Sequence, residues 1–227
     1  VFCQNLLGFT AQQTGELLFP GGLCTIVMMP FIGKMLNAGI PAQFMATIGM
    51  FLFFVFTTML SNSTLSTGQS DVLIPLLIRG VGMALLFVPL TTLAIADLKG
   101  PELGQGTGLN NMMRQLGGSF GIATLTTLIH IRAGVHRDNL LSNINIYNPA
   151  FNVRFNQYLQ SFLAKGKSMV DATHMAYAAI EGVVTKQTLL LTYDDAYWVS
   201  GLVMLFSIPL LYLQPFKKAV KMPVDAH

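Results

Sequence analysis

LGQGTGLNNMMRQLGGSFGIATLTTLIHIRA, residues 103–133, is the stretch whose reading decides the fold. It is long enough to cross a bilayer, for which about 20 helical residues suffice. Its first half nevertheless carries Asn110, Asn111, Arg114 and Gln115 among glycines. On a helical wheel of about 100° per residue, Thr107, Asn110, Asn111, Arg114, Gly118 and Gly121 share one face. Leu109, Met112, Met113, Leu116, Phe120 and Ala123 share the other. A charge at the bilayer centre costs about 2.5–3.5 kcal/mol on insertion scales, so Arg114 is expected to face protein or water. Its expected partners are a neighbouring helix or backbone carbonyls near the cytoplasmic end. The competing reading is an interfacial arginine that snorkels to lipid phosphates. Gly117 and Gly121 form a small-xxx-small pair that would let a second helix backbone approach closely.

The bulk composition agrees with a membrane setting. Of 227 residues, 52% are hydrophobic and only 10% charged, against about 25% charged in soluble domains. Mean hydropathy is +0.57. Cys3 and Cys24 sit in or near apolar segments and belong to no metal or redox motif, so both read as small buried hydrophobes. The net charge of +3 is modest, and no basic run is dense enough for nucleic acid. The chain opens in mid-pattern: VFCQNLLGF reads as the end of an apolar helix, which is the expectation for a piece of a longer protein.

Working outward, hydropathy places further spans at about 15–36, 43–62, 72–97 and 189–213. The first contains Pro20-Gly21-Gly22 and Pro30, breakers that survive in a membrane helix only where neighbours re-satisfy the backbone. The span at 43–62 is apolar all round, with five phenylalanines from Phe44 to Phe56, and is expected to face lipid. The span at 72–97 holds Pro75, Arg79, Gly80, Gly82 and Pro89. Arg79 reads either as a snorkelling residue at the outer end or as a cation lining a water-filled cavity. Tyr193, Tyr197 and Trp198 fit an aromatic belt at the start of the last span.

Residues 134–188 read as a hydrophilic insert outside the membrane, dividing 1–133 from 189–227. Asn148-Pro149 signals a helix start and Gly166 a stop, with Phe151, Phe155, Tyr158, Leu159 and Phe162 at helical spacing. A second helix is expected at about 168–187, making an amphipathic hairpin. The short loops at 8–14 and 61–71 contain no Lys or Arg, whereas Lys34, Lys99 and the tail lysines Lys217, Lys218 and Lys221 share the opposite side. The positive-inside rule then puts the C-terminus in the cytoplasm and the insert outside. No nucleophile–base pair, metal-ligand cluster or phosphate loop is present, so enzymatic chemistry is not expected.

Four stretches carry a resemblance: QNLLGFTAQQTGELLFPGGL with MPFIGKML, RGVGMALLFVPLTTLA, LGQGTGLNNMMRQLGGSFGIATLTT, and TYDDAYW. In this order and spacing the chain resembles the EmrB/QacA type of drug:proton antiporter in the major facilitator superfamily. The long loop before the final helix is more like EmrB. The resemblance implies an all-α polytopic membrane protein, the C-terminal portion of a bundle of about fourteen helices, with five full transmembrane helices and an extracytoplasmic hairpin. Two halves of such a bundle rock about a central site. It further implies export of drugs or other apolar or cationic compounds in exchange for protons, with no cofactor beyond the proton gradient. Implied surroundings are the lipid of a bacterial inner membrane, the missing N-terminal half, a small-molecule substrate and a periplasmic adaptor on the insert. Spans 15–36 and 106–133 would lie at the interface between halves, 72–97 would line the cavity, and 43–62 and 189–213 would sit outermost. Arg79, Asn110, Asn111, Arg114 and Gln115 are the cavity or interface candidates. Pro20, Gly21, Gly22, Gly80, Gly82, Gly117, Gly118 and Gly121 are the packing candidates. The acids best suited to carry the proton belong to the N-terminal half. Residues 33–41 (GKMLNAGIP) only faintly echo that half's loop motif. A metabolite carrier on the same fold and a non-transporting membrane scaffold remain the alternatives.

Overall fold

The computed structural model describes residues 8–62, 64, 69–98, 100–145 and 147–213. The N-terminal helix tail with Cys3, Lys99, and the basic tail with Lys217, Lys218 and Lys221 lie outside the described residues. The regular structure described is helical: α1 (Ala11–Asn37), α2 (Ala42–Ser61), α3 (Gln69–Ile95), α4 (Pro101–Ser142), α5 (Pro149–Ala164) and α6 (Met169–Tyr212).

Local sequence explains the starts. Thr10 caps α1 in a reciprocal box: its hydroxyl accepts from the Gln13 N–H, and the Gln13 side chain accepts from the Thr10 N–H. Asn148 caps α5 through the Ala150 N–H with Pro149 at the first turn, as the dipeptide signalled. Ser168 caps α6 through the Asp171 N–H. Pro20 and Pro30 lie inside α1, and Pro75 and Pro89 inside α3, without ending either helix.

Two expected boundaries are absent. The helix expected to end at residue 133 runs on to Ser142, and the second insert helix is continuous with the last span. Neither stretch contains a proline until Pro209 near the end of α6, so nothing in the backbone marks the point where polarity changes. At about 1.5 Å per residue, α4 and α6 are roughly 63 and 66 Å long, twice the ~30 Å hydrocarbon core. Both therefore project beyond the membrane on the α5 side. Among the described residues four helices are apolar and long enough to span a bilayer: α1, α2, Asp71–Ile95 of α3, and α6. Expectation was five. The 42-residue α4 has the length but not the hydropathy, because Asn110, Asn111, Arg114 and Gln115 interrupt its apolar run.

α3 packs between α1 and α2, α2 also packs on α6, and α4 lies mainly along α6 with a lighter contact to α3. Toward the end where α1 turns into α2, Ile32, Leu36, Ala42, Met45, Ala84 and Leu85 form one apolar cluster. Toward the other end Leu17, Phe56, Leu60, Val72 and Leu76 form a second, which Tyr197 joins. The all-round apolar α2 is thus not simply lipid-facing. Phe44 and Phe51 are exposed, but Met45, Ala46, Gly49, Phe56 and Thr57 are buried against α3 and α6. Tyr197 likewise packs edge-on to Phe56, and Trp198 edge-on to Phe54, instead of forming only a headgroup belt. In the projection, Leu159 is buried with Ala172 and Ala176, and Phe155, Tyr158 and Phe162 close over them. The apolar stripe of α5 therefore has a partner within the chain.

Candidate functional site

Helix crossings set the geometry around α3. Thr25 donates its hydroxyl to both the Gly21 and Gly80 carbonyls at 3.0 Å, tying α1 to α3. A Cβ on Gly80 would run into the Gly21 carbonyl oxygen, and one on Gly21 would lie 2.8 Å from the Leu76 oxygen. These glycines exist so that two backbones can touch. Gly82 meets α2 the same way, with the Gly49 carbonyl 3.3 Å from a Cβ position. Gly201 of α6 packs on Thr57 and Phe54. Gly49 and Gly201 were not singled out from sequence. Isolated glycines in apolar runs give no sign of which partner they meet.

Beside the α1–α3 crossing opens a cavity of about 220 Å³ lined by Leu18, Gly21, Gly22, Thr25, Leu76, Arg79, Gly80 and Met83. Gly22 has nothing within 4 Å of a Cβ position, so it borders this space instead of a helix. Pro20, next to Gly21 in sequence, is half-buried. Arg79 is half-buried, with its guanidinium 5.8 Å from the centre of the Phe56 ring. Between α3 and α4 lies a cavity of about 330 Å³ lined by Met83, Leu86, Phe87, Leu90, Thr91, Asn110 and Arg114. Arg114 Nη2 donates to Asn111 Oδ1 at 3.0 Å on its own helix, and the guanidinium sits 4.9 Å from the Phe87 ring centre. Its neighbour on α3 is thus an aromatic face, not the hydrogen-bonding group expected. Among the described residues neither arginine has a carboxylate partner, and neither cavity has an acidic lining residue.

The structure does not bring all the candidates together. Arg79 and Arg114 line separate cavities that share Met83. Asn110 joins Arg114 at the wall, Asn111 holds the guanidinium, and Gln115 is exposed. Gly117, Gly118 and Gly121 have nothing within 4 Å of a Cβ position among the described residues. The opposite face of α4 is uncovered as well: Leu109, Met112, Met113, Leu116 and Phe120 are all exposed.

A second polar centre lies at the far end of α4. His136 Nε2 is 2.8 Å from Asp195 Oδ2 of α6, and Arg132 Nε is 3.4 Å from the same oxygen. Arg137 pairs with Glu181 one level further out. The residues paired with Asp195 lie in a different helix, which spacing along the sequence does not reveal.

Residues 1–122 match the family model described as Major Facilitator Superfamily. The chain is 27% identical, over 97% of its length and 41% of the relative's, to the uncharacterized MFS-type transporter YhcA of Bacillus subtilis. It is 28% identical to the multidrug export protein EmrB of Haemophilus influenzae, over 88% of this chain and 38% of that one. With the fatty acid resistance protein FarB of Neisseria gonorrhoeae it shares 24% identity, over 92% of this chain and 40% of that one. The chain thus spans about two fifths of the length of these curated relatives. No solved structure matches. Apolar helices, glycine-mediated crossings and the family match agree: this helical, multi-pass membrane chain belongs to the Major Facilitator Superfamily.

Proposed function

We propose that this chain forms the C-terminal portion of a secondary active transporter of about fourteen helices that exports drugs or other apolar or cationic compounds in exchange for protons. One observation carries the reading: similarity to proteins named as multidrug exporters extends over about nine tenths of the chain, through the cavity-lining helices α3 and α4 among others. The apolar walls of Leu18, Leu76, Met83, Leu86, Phe87 and Leu90 suit compounds of that kind. The exposed faces of α1 and α4 would meet the N-terminal half, with Gly117, Gly118 and Gly121 at that contact. The protein would reside in a bacterial inner membrane, surrounded by lipid, with its C-terminus cytoplasmic. Its α4–α6 projection would then face outward, where a periplasmic adaptor could dock. The proton gradient is the only energy source required, and no cofactor or nucleic acid takes part.

The arginines favour a second reading of substrate class. Two cavities with a guanidinium and no described acid suit an amphiphilic carboxylate better than a cation, and one relative is named for fatty acid resistance. Transport by the full-length protein in everted membrane vesicles tests both readings, with ethidium and oleate as probes. Accumulation of either that collapses on adding a protonophore is expected. Accumulation of neither, with the protein present in the membrane, would leave the metabolite-carrier and scaffold readings.

A further inference from the structure

We propose that His136 of α4 with Asp194 and Asp195 of α6 forms a proton-binding site at the outer end of the seam between the two helices. The proposal rests on the proton-exchange reading above and adds to it a location within this chain.

The site is built across two helices that are far apart in sequence. His136 Nε2 and Arg132 Nε converge on one oxygen, Asp195 Oδ2, at 2.8 and 3.4 Å. The adjacent acid, Asp194, has its Oδ1 buried and without a hydrogen-bond partner among the described residues. A buried carboxylate oxygen with no donor is costly while charged, and a proton removes that cost. Arg132 supplies a fixed positive charge against Asp195, which leaves Asp194 as the member free to gain or lose a proton.

The surroundings isolate this set. α2, which packs against α6, carries no titratable side chain between Ala42 and Ser61. From α4 the facing groups are Arg132 and His136, while Arg137 is committed to Glu181. On α5, Arg154 and Tyr158 sit at the level of Val183 and Val184, about 15 Å further out along α6. Glu16 of α1 and Asp71 of α3, next in sequence to the cluster residues Leu17 and Val72, are exposed, and Glu16 accepts from Gln12. Tyr193 and Tyr197 flank the pair on α6 itself. Asp194 lies 18 residues from Tyr212, or about 27 Å, nearly the full depth of the hydrocarbon from the other end. A proton from water on the projection side would therefore reach this site just inside the Arg137–Glu181 pair. It would bind to a carboxylate oxygen of Asp194, with no other bond made or broken.

Two measurements on the full-length protein test this. Infrared difference spectra of purified protein, titrated with pH, are expected to show the carbonyl band of a protonated carboxyl that disappears in Asp194→Asn. In everted vesicles loaded with ethidium or oleate as probe, gradient-driven accumulation is expected to fall about tenfold or more in Asp194→Asn, the factor that one unit of proton affinity represents. Exchange of probe against probe needs no net proton movement and should stay within about twofold of wild type, which also shows that the variant is folded. His136→Gln, a milder change, should shift the lumenal pH dependence of accumulation. Wild-type accumulation, pH dependence and band in both variants would overturn the site while leaving proton-driven export intact. If wild type shows no gradient-driven transport but its band is lost in Asp194→Asn, the export reading fails and the proton site stands.

Discussion

Gly80→Ala is the smallest perturbation that tests the α1–α3 crossing. A methyl at Gly80 would overlap the Gly21 carbonyl oxygen and approach Cys24 Cβ at 3.2 Å and the Gly21 carbonyl carbon at 3.3 Å. Two of these atoms are backbone, so relief requires the helices to part. Replacing glycine by alanine in a helix by itself gains about 1 kcal/mol. Against this stand about 1–3 kcal/mol for overpacking and about 0.6 kcal/mol for an interhelical membrane hydrogen bond, here Thr25 to the Gly80 carbonyl. The balance is a destabilisation of about 0.5–2.5 kcal/mol. Gly22→Ala is the matched control, since nothing lies within 4 Å of its Cβ position and only the helix gain remains. Thermal unfolding of the full-length protein in detergent should therefore rank Gly22→Ala at or above wild type and Gly80→Ala below it. A Gly80→Ala midpoint equal to that of Gly22→Ala would show that the backbones do not touch there.

Three further outcomes are expected. Gly201→Ala should destabilise the α2–α6 contact by about 1–3 kcal/mol, and adding Thr57→Ala, which removes the hydroxyl it strikes, should restore part of the loss in a double-mutant cycle; strict additivity would refute the contact. Arg114→Ala should lower probe export about 2- to 30-fold at unchanged protein level, matching a cation–π contact of about 0.5–2 kcal/mol, with Arg114→Lys intermediate; unchanged export would remove Arg114 from the cavity's function. Leu159→Ala should loosen the projection by about 2–5 kcal/mol and speed tryptic cleavage at Arg154, Lys165 and Lys167, while cleavage rates equal to wild type would show that α5 does not depend on its packing against Ala172 and Ala176.

What the sequence determined by itself is the kind of molecule and the chemistry of its unusual helices. Hydropathy marked four apolar segments that overlap the four helices long and apolar enough to span a bilayer, because the cost of lipid exposure acts on each segment separately. The Asn148-Pro149 start was legible for the same reason: capping is local. The polar face of 103–133 singled out Asn110 and Arg114, which line the α3–α4 cavity, because a charge within an apolar run must find a special place. Where helices end was not legible, because the backbone continues through a change of polarity whenever no breaker intervenes. Hence α4 and α6 each run far past the membrane boundary that composition implied. Tertiary structure alone decided which glycines touch a partner: Gly21, Gly80 and Gly201 meet backbone or side chains, whereas Gly22 and Gly117 meet nothing described. It alone turned Arg114 onto Phe87 and joined His136 to Asp195 across 59 residues of chain. Those pairings depend on how rigid helices cross, and a crossing brings together residues whose separation in sequence carries no trace of it.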